Sequence, residues 1–262
     1  MGTVLSISSQ VAASRVGTSA GGFVLRRLGH EAVVLPTVLL GRHPGWGPPG
    51  GGAVDVEHLQ SRWAAVRQQE LRFHAVQTGY FATATQVSLA ASIIDAVEPP
   101  IVMVDPVIGD DGGLYVPEDV AGAIRDLLLP RATIITPNLW EFGWLGGNPD
   151  DAASALNLAP SALITSWPEG DRIGALHIDR DSAHRVSHER FASVPHGGGD
   201  TLAALWLAHA LHGMDPAKNL SRSVGSVLKL LRGTLADDRS ELMLARDQDA
   251  LLHPEHLEAH RV

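Results

Sequence analysis

At 262 residues the chain is within reach of one large α/β domain and can bury a sizeable core. Hydrophobic residues make up 45% and the mean hydropathy is +0.06, which excludes a disordered chain. The formal net charge of −9 argues against nucleic acid as a partner, and the lack of cysteine excludes disulfides, thiolate metal sites and thiol nucleophiles.

The N-terminus Met1-Gly2-Thr3-Val4-Leu5 has no basic segment followed by an apolar one, and no apolar run reaches membrane-spanning length. A cytoplasmic protein with no membrane partner is the expectation. Thr3 to Ser8 reads as a first buried strand that runs out into Ser8, Ser9 and Gln10. Ligands of open α/β sheets sit beyond the carboxyl ends of strands, which places Ser9 near a substrate. A loop serine bonding its own backbone is the plainer alternative. Gly17-Thr18-Ser19-Ala20-Gly21 matches the G-x-S-x-G elbow of hydrolases. The strand ends too early for an elbow, so a helix over 17–28 packed closely on the sheet is the better reading.

Glu31 to Pro36 reads as a second strand. The stretch from Gly41 to Gly52 is too rich in glycine and proline for a helix or a central strand. We read about 41–56 as a mobile flap, because a hinged loop carrying His43 and Trp46 can close over a flat ligand and exclude water. A polar helix over 57–70 and a strand over 74–77 follow, with Tyr80 beyond the strand's end. A helix over 84–97 leads to Pro100-Ile101-Val102-Met103-Val104, the most apolar strand, expected at the centre of the sheet. Asp105 and Asp110 lie just beyond it, where oxygen ligands suit Mg²⁺ or its water shell. Asp111 before Gly112 is a turn former.

A helix over 117–128 and a strand over 132–135 precede Thr136-Pro137-Asn138-Leu139-Trp140-Glu141. Asn138 with Glu141 three residues on forms a capping box. A strand over 161–164 ends at Thr165-Ser166, and two more strands cover 172–178 and 184–191. Pro195-His196-Gly197-Gly198-Gly199-Asp200-Thr201 then runs into the apolar segment Leu202 to Ala208, predicting a helix from Gly199 or Asp200. Glycines before a helix let several N–H groups converge at its positive end, which makes an anion site. Asp200 there is either a helix cap or a base that takes a proton from a nucleophile. Helices over 200–212 and 216–233 close the pattern, and the polar tail carries solvated His253, His256 and His260.

Alternating strands and helices predict one domain over 1–262 with a mainly parallel sheet covered on both faces. No G-x-x-x-x-G-K-[ST] loop is present and the lysines are only Lys218 and Lys229. Phosphate must be held by backbone amides, metal and arginine.

Taken together, these segments resemble the pyridoxal kinases of the ribokinase-like superfamily. The likeness runs through Leu5 to Ser9, Gly17, Arg27 to Glu31, His43 to Gly47, Thr78-Gly79-Tyr80, Asp105 to Asp110, Leu114 to Glu118, Thr136 to Glu141, Gly197 to Asp200, and Ser223 to Thr234. Each motif is weak alone; their order and spacing are specific. The resemblance implies a three-layer α/β/α fold and ATP-dependent phosphorylation of the 5'-hydroxymethyl group of pyridoxal. It makes Asp200 the base and Gly197, Gly198 and Gly199 the anion hole. Ser9, Tyr80, His43, Pro44 and Trp46 would border the pyridine ring. Asp105, Asp110, Asn138, Glu141, Tyr115, Thr165, Ser166, His196, Gly197 and Gly199 would surround ATP. Asp105, Thr136 and Glu141 would face Mg²⁺, with K⁺ or Na⁺ as a monovalent companion, and the family is usually homodimeric. Two departures stand out. Pro44 replaces the family's usual threonine, and Pro195-His196 is an uncommon form. Hydroxymethylpyrimidine kinases share the fold but typically carry a cysteine in the anion-hole loop, and a vitamin-binding protein without turnover is the remaining alternative.

Overall fold

In the computed structural model, which describes residues 1–262, β1 (Thr3–Val11) leads through α1 (Thr18–Arg27) to β2 (Glu31–Leu40), β3 (Gly51–Ala53) and α2 (Val56–Arg67). Next come β4 (Ala75–Thr78), α3 (Ala84–Val97), β5 (Ile101–Val104), a small hairpin of β6 (Gly109–Asp110) and β7 (Gly113–Leu114), and α4 (Glu118–Ala123). The chain continues with β8 (Ile134–Ile135), α5 (Leu139–Trp144), β9 (Ser161–Glu169), β10 (Arg172–Asp179) and β11 (Ala183–Glu189). Helices α6 (Gly198–Leu211) and α7 (Pro216–Ala236) and the short strand β12 (His260–Arg261) complete it.

One sheet runs in the order β3-β2-β1-β4-β5-β8-β9-β10-β11-β12. The strands from β2 to β9 are parallel, while β3 at one edge and β10 to β12 at the other are antiparallel. The mainly parallel sheet and the central place of Ile101–Val104 agree with the sequence pattern. Side chains alternate faces along each strand. Leu5, Val76 and Val102 belong to the core under α2 to α5. Their neighbours Val4, Ala75 and Met103 belong to the core under α1, α6 and α7. Each fully buried aliphatic side chain contributes about 1.5–3 kcal/mol, so two such faces hold a three-layer sandwich together. Helix α6 is apolar all round, and every residue from Thr201 to His209 is buried.

Several boundaries differ from expectation. Strands β1 and β2 run on past Ser8 and Pro36. Proline has no N–H to give to a ladder, but the register slips by one between Ser8 and Gln10, opposite Pro36, and pairing resumes to Val11 and Leu40. The expected flap keeps only 41–50 as a loop, with one 3₁₀ turn at Pro44–Trp46. Its last part is β3, paired with β2, and Val56 already opens α2. The expected helix over 117–128 is α-helical only to Ala123. A π-type turn (Ile124–Leu128) and a 3₁₀ turn (Leu129–Arg131) finish it ahead of Ala132. The tail is less polar in effect than in composition, because Leu242, Leu244, Ala250 and Leu251 are buried in the core under α6 and α7. His253, His256 and His260 are exposed, as expected.

Two buried histidines make the fold acid-sensitive. His209 of α6 faces Asn219 Oδ1 at 3.2 Å and Ser223 Oγ at 3.1 Å. His177 of β10 faces Ser161 Oγ at 2.9 Å and packs on the Trp206 ring. Burial lowers both from 6.5 to about 4. Between those values the unfolded chain binds protons that the folded chain refuses. Stability is therefore whole above pH 6.5 and is lost as pH falls toward 4, by at most about 3 kcal/mol per histidine. Urea unfolding at pH 7.5 and pH 5 should show this loss, and His209→Gln should flatten part of the slope. An unchanged slope would remove His209 from the account.

Candidate active site

The rim at the carboxyl ends of β1, β4, β5 and β8 is shaped by one carboxylate. Asn138 caps α5 and accepts from the Glu141 N–H at 2.9 Å, while Glu141 Oε2 accepts from the Asn138 N–H at 2.9 Å, the expected capping box. The other oxygen reaches out of the helix and accepts from the N–H of Ile108 at 2.8 Å. That bond holds the loop after β5, where Val107 has φ of 46°, a region that β-branched residues avoid. Asn138 Nδ2 donates to Gly109 O at 2.8 Å from the same side. Glu141 and Asn138 thus build the loop that presents Asp105, and their polar atoms are largely spent on it.

The anion loop is a left-handed glycine feeding a helix. Gly197 caps α6 with φ of 96°, and a Cβ there would lie 2.2 Å from Arg15 O. Gly198 and Gly199 form the first turn, so successive N–H groups face the same space. Asp200 is the third residue of α6, in its first turn, so the N-cap position is held by Gly197 and not by Asp200. Burial raises its pKa, and the neighbouring N–H groups of Gly17 and of Asp200 itself pull the other way. Gly17, marked in the sequence by the G-x-S-x-G stretch and by the family likeness, lies against this site. Its φ of 55° and a Cβ position 2.2 Å from Ser9 Oγ leave room for nothing larger.

A cavity of about 150 Å³ lies against this loop. Asp105, Tyr115, Thr136, Asn138, Glu141, Thr165, Gly199 and Asp200 line it, with Leu163 and Leu202 among the apolar walls. Eight residues picked from sequence therefore share one space. Asp110 stands outside it on the β6–β7 hairpin, exposed, with Oδ1 accepting from the Gly112 N–H. Ser166 also falls outside. It is the extra residue of a bulge in β9, exposed at φ of 58°, because β9 runs on to Glu169 rather than ending at Thr165. His196 is exposed ahead of the loop.

No lysine or arginine lines the cavity, so its acids are uncompensated. Burial lifts the Asp105 carboxyl well above the usual range, and the charges of Glu141 and Asp200 add to this. Burial also raises Glu141. The Tyr115 hydroxyl is raised by burial and by the acids around it. The buried Thr136 Oγ1 has no hydrogen-bond partner. Hard oxygen donors, excess negative charge and an orphaned hydroxyl fit a divalent cation shared with phosphate and water. They do not make an all-protein cage, since no cluster of three or more acids or histidines is close enough to hold an ion unaided.

On the other side of Asp200, a second cavity is lined by Ser6, Ser8, Gln77, Gly79, Asp105 and Asp200. Ser9 lies within β1 rather than beyond it, buried, its carbonyl accepting from Thr18 Oγ1. Tyr80 is anchored by its N–H to Ser8 Oγ at 3.1 Å. The flap packs over the anion loop. The His43 ring stacks on His196 at 4.3 Å, and Trp46 meets the same ring edge-on at 6.1 Å. Pro44 is exposed beside them. The tail supplies the floor. His196 N–H donates to Ser240 O, Leu242 N–H donates to His196 O, and Glu241 takes the Ser14 hydroxyl and an ion pair with Arg15 at 3.6 Å. Ser19 donates to Val11 O at 3.1 Å, and the groove it lines holds no histidine or acid, which leaves the hydrolase elbow without a base.

The family model described as phosphomethylpyrimidine kinase matches residues 51–237. A pyridoxal kinase of Corynebacterium diphtheriae is 31% identical over 96% of this chain and 96% of its own length. A pyridoxine/pyridoxal/pyridoxamine kinase of Bordetella avium is 34% identical over 93% of this chain and 90% of its own. Among solved structures, pyridoxal kinase from Entamoeba histolytica superposes with a TM-score of 0.91 at 23% identity over the whole of both chains. Pyridoxal kinase from Leishmania donovani in complex with ADP and pyridoxamine gives 0.88 at 26% identity, again over the whole of both chains. With relatives above 30% identity along almost its entire length, the chain belongs to the pyridoxal kinase family.

Proposed function

We propose that this protein transfers the γ-phosphoryl group of ATP to the 5'-hydroxymethyl group of pyridoxal, and of pyridoxine and pyridoxamine, in vitamin B6 salvage. The observation that carries the reading is the position of Asp200. It borders both the cavity lined by Asp105, Tyr115, Thr136 and Thr165 and the smaller one beside Ser8 and Gly79. A nucleotide in the larger cavity and an alcohol held under the flap would meet at its carboxylate, while the smaller cavity, of about 10 Å³, is too small for either. The relatives' names and the ADP complex of the Leishmania enzyme support the same reading.

In this mechanism Asp200 accepts the proton of the attacking alcohol as its oxygen bonds to the γ-phosphorus. The bond to the bridging oxygen breaks, and its electron pair leaves with ADP. A carboxylate made more basic by burial is the better acceptor near neutral pH. The N–H groups of Gly197, Gly198 and Gly199 and the α6 dipole stabilise the charge on the moving group. Asp105 and Thr136 would hold Mg²⁺, and Glu141 would act through water because its oxygens serve backbone amides. Mg²⁺ would neutralise the β- and γ-phosphates. Ser9, Tyr80, His43 and Trp46 would enclose the ring, and the flap would keep water from the phosphoryl group. A K⁺ or Na⁺ requirement and a homodimer belong to the same proposal, to be read by ion substitution and light scattering.

The test is a coupled assay of purified protein with ATP, Mg²⁺ and a panel of pyridoxal, pyridoxine, pyridoxamine and hydroxymethylpyrimidine. Turnover of the B6 vitamers is expected. Preference for the pyrimidine would favour the activity described by the matching family model, and binding without turnover would leave a carrier protein.

The flap yields a separate expectation. Pro44 supplies neither an N–H nor a hydroxyl, and one neutral hydrogen bond lost costs about 0.5–1.5 kcal/mol. Trp46, 38% exposed here, can offset part of that by covering a flat ring, since aromatic pairs contribute about 0.5–1.5 kcal/mol. Trp46→Ala should raise the KM for pyridoxal several-fold and hardly alter that for ATP. The reverse pattern would place the flap over the nucleotide instead.

A further inference from the structure

Gln77 is a polar residue in a place that the sheet reserves for apolar ones. It sits near the end of the central strand β4, in register with Ser6 of β1 and Met103 of β5. It therefore shares their face, the one covered by α1 and α6. Ala75, two residues earlier on that face, and Met103 beside it belong to the apolar core there. Gln77 is only 7% exposed, and its Oε1 has no hydrogen-bond partner in the fold. A buried amide oxygen left unpaired costs about 1–3 kcal/mol, so a partner is required.

The surroundings show what that partner is. Gln77 lines the small cavity shared with Ser6, Ser8, Asp105 and Asp200, in which no lining residue is hydrophobic. Its volume of about 10 Å³ matches one water molecule, which needs roughly 10–15 Å³ measured this way and two to four polar partners. The site is built by close approach. A Cβ on Gly79 would lie 2.4 Å from Ser8 Oγ, and one on Gly17 would lie 2.2 Å from Ser9 Oγ.

We propose that this cavity binds one structural water, oriented by Gln77 Oε1, and that Gln77 is a positioning residue for Asp200. The inference rests on Asp200 being the base. One water hydrogen goes to Gln77 Oε1 and the other to the Asp200 carboxylate, and Ser6 and Ser8 complete the water's contacts. Asp200 is then held from behind, so that its free lone pair faces the alcohol. The N–H groups of Gly17 and Asp200 itself do the same from the helix side. The charged groups facing Asp200 from β5 and α5 are Asp105 and, across the larger cavity, Glu141; no cation lines either cavity. The water is thus a donor from the sheet side that favours the charged form.

The test uses Gln77→Met, which keeps length and volume but has no acceptor, with Gln77→Leu as a second variant. In active wild-type enzyme, the kcat for pyridoxal should fall about tenfold in both variants, with the KM for pyridoxal and ATP within twofold. Melting temperature should change little, since the amide oxygen and its water contact are lost together and neither is left buried and unpaired. A purely structural Gln77 predicts the same melting result with kcat unchanged, and that outcome overturns the proposal. So does a rise in KM with kcat preserved. A wild-type protein that phosphorylates no B6 vitamer would instead remove the reading of Asp200 on which the water depends.

Discussion

Asp200→Asn should lower kcat for pyridoxal by ~10²–10⁴ fold while leaving ATP binding nearly intact. The substitution keeps the shape of the side chain and removes only its ability to take a proton. It also removes a half-buried carboxyl whose pKa desolvation has raised. Such a group favours the folded state most below its unfolded pKa, and that advantage is lost as pH rises through the folded value. The Asn variant should therefore be at least as stable as wild type at pH 8, and a thermal melt beside the kinetics separates lost chemistry from lost fold. Turnover near wild type in a folded Asn variant would leave the first turn of α6 as an anion site without a base.

Gly197→Ala should be nearly as damaging, for a different reason. At φ of 96° an alanine is strained, and its methyl would fall 2.2 Å from Arg15 O, a backbone atom that cannot swing away. The loop must shift, and a shift of about 1 Å in groups that position a reacting centre costs on the order of 10²-fold. Gly199→Ala is the internal comparison. Its added methyl meets nothing within 4 Å, so it should melt near wild type. Equal activity of Gly197→Ala and wild type would show that these amides do not hold the transferred group.

The sequence pattern made the sheet and much of the site legible for identifiable reasons. The capping box at Asn138 and Glu141 is local, so its spacing alone specifies it. Apolar runs marked the strands, and the residues after β5 and β8 followed from where ligands sit in parallel sheets. Boundaries placed by polarity were less secure. Pro36 looked like a strand end because it lacks an N–H, yet a one-residue slip in register absorbs it. Ser166 looked like a rim residue because nothing local announces a bulge whose partner, Gly174, lies across a hairpin. Asp200 could not be separated from a helix cap until the helix start was fixed at Gly198. Gln77 inside a short strand gave no sign of its unpaired oxygen, because that depends on which face of the sheet it meets.

The pairing of His196 with Ser240 and Leu242 has a consequence for the order in which the molecule is made. The parallel strands β1, β2, β4, β5, β8 and β9 are all encoded before Gly170, and each can find its neighbour as synthesis proceeds. The anion loop cannot be fixed so early. Its backbone pairs with residues 240–242, and Glu241 ties down Ser14 and Arg15 beneath it. Until that segment has left the ribosome, a nascent chain has the sheet but not the seat for a phosphoryl group. The proposed catalytic centre is completed nearly last, by a stretch of chain to which no catalytic side chain is assigned.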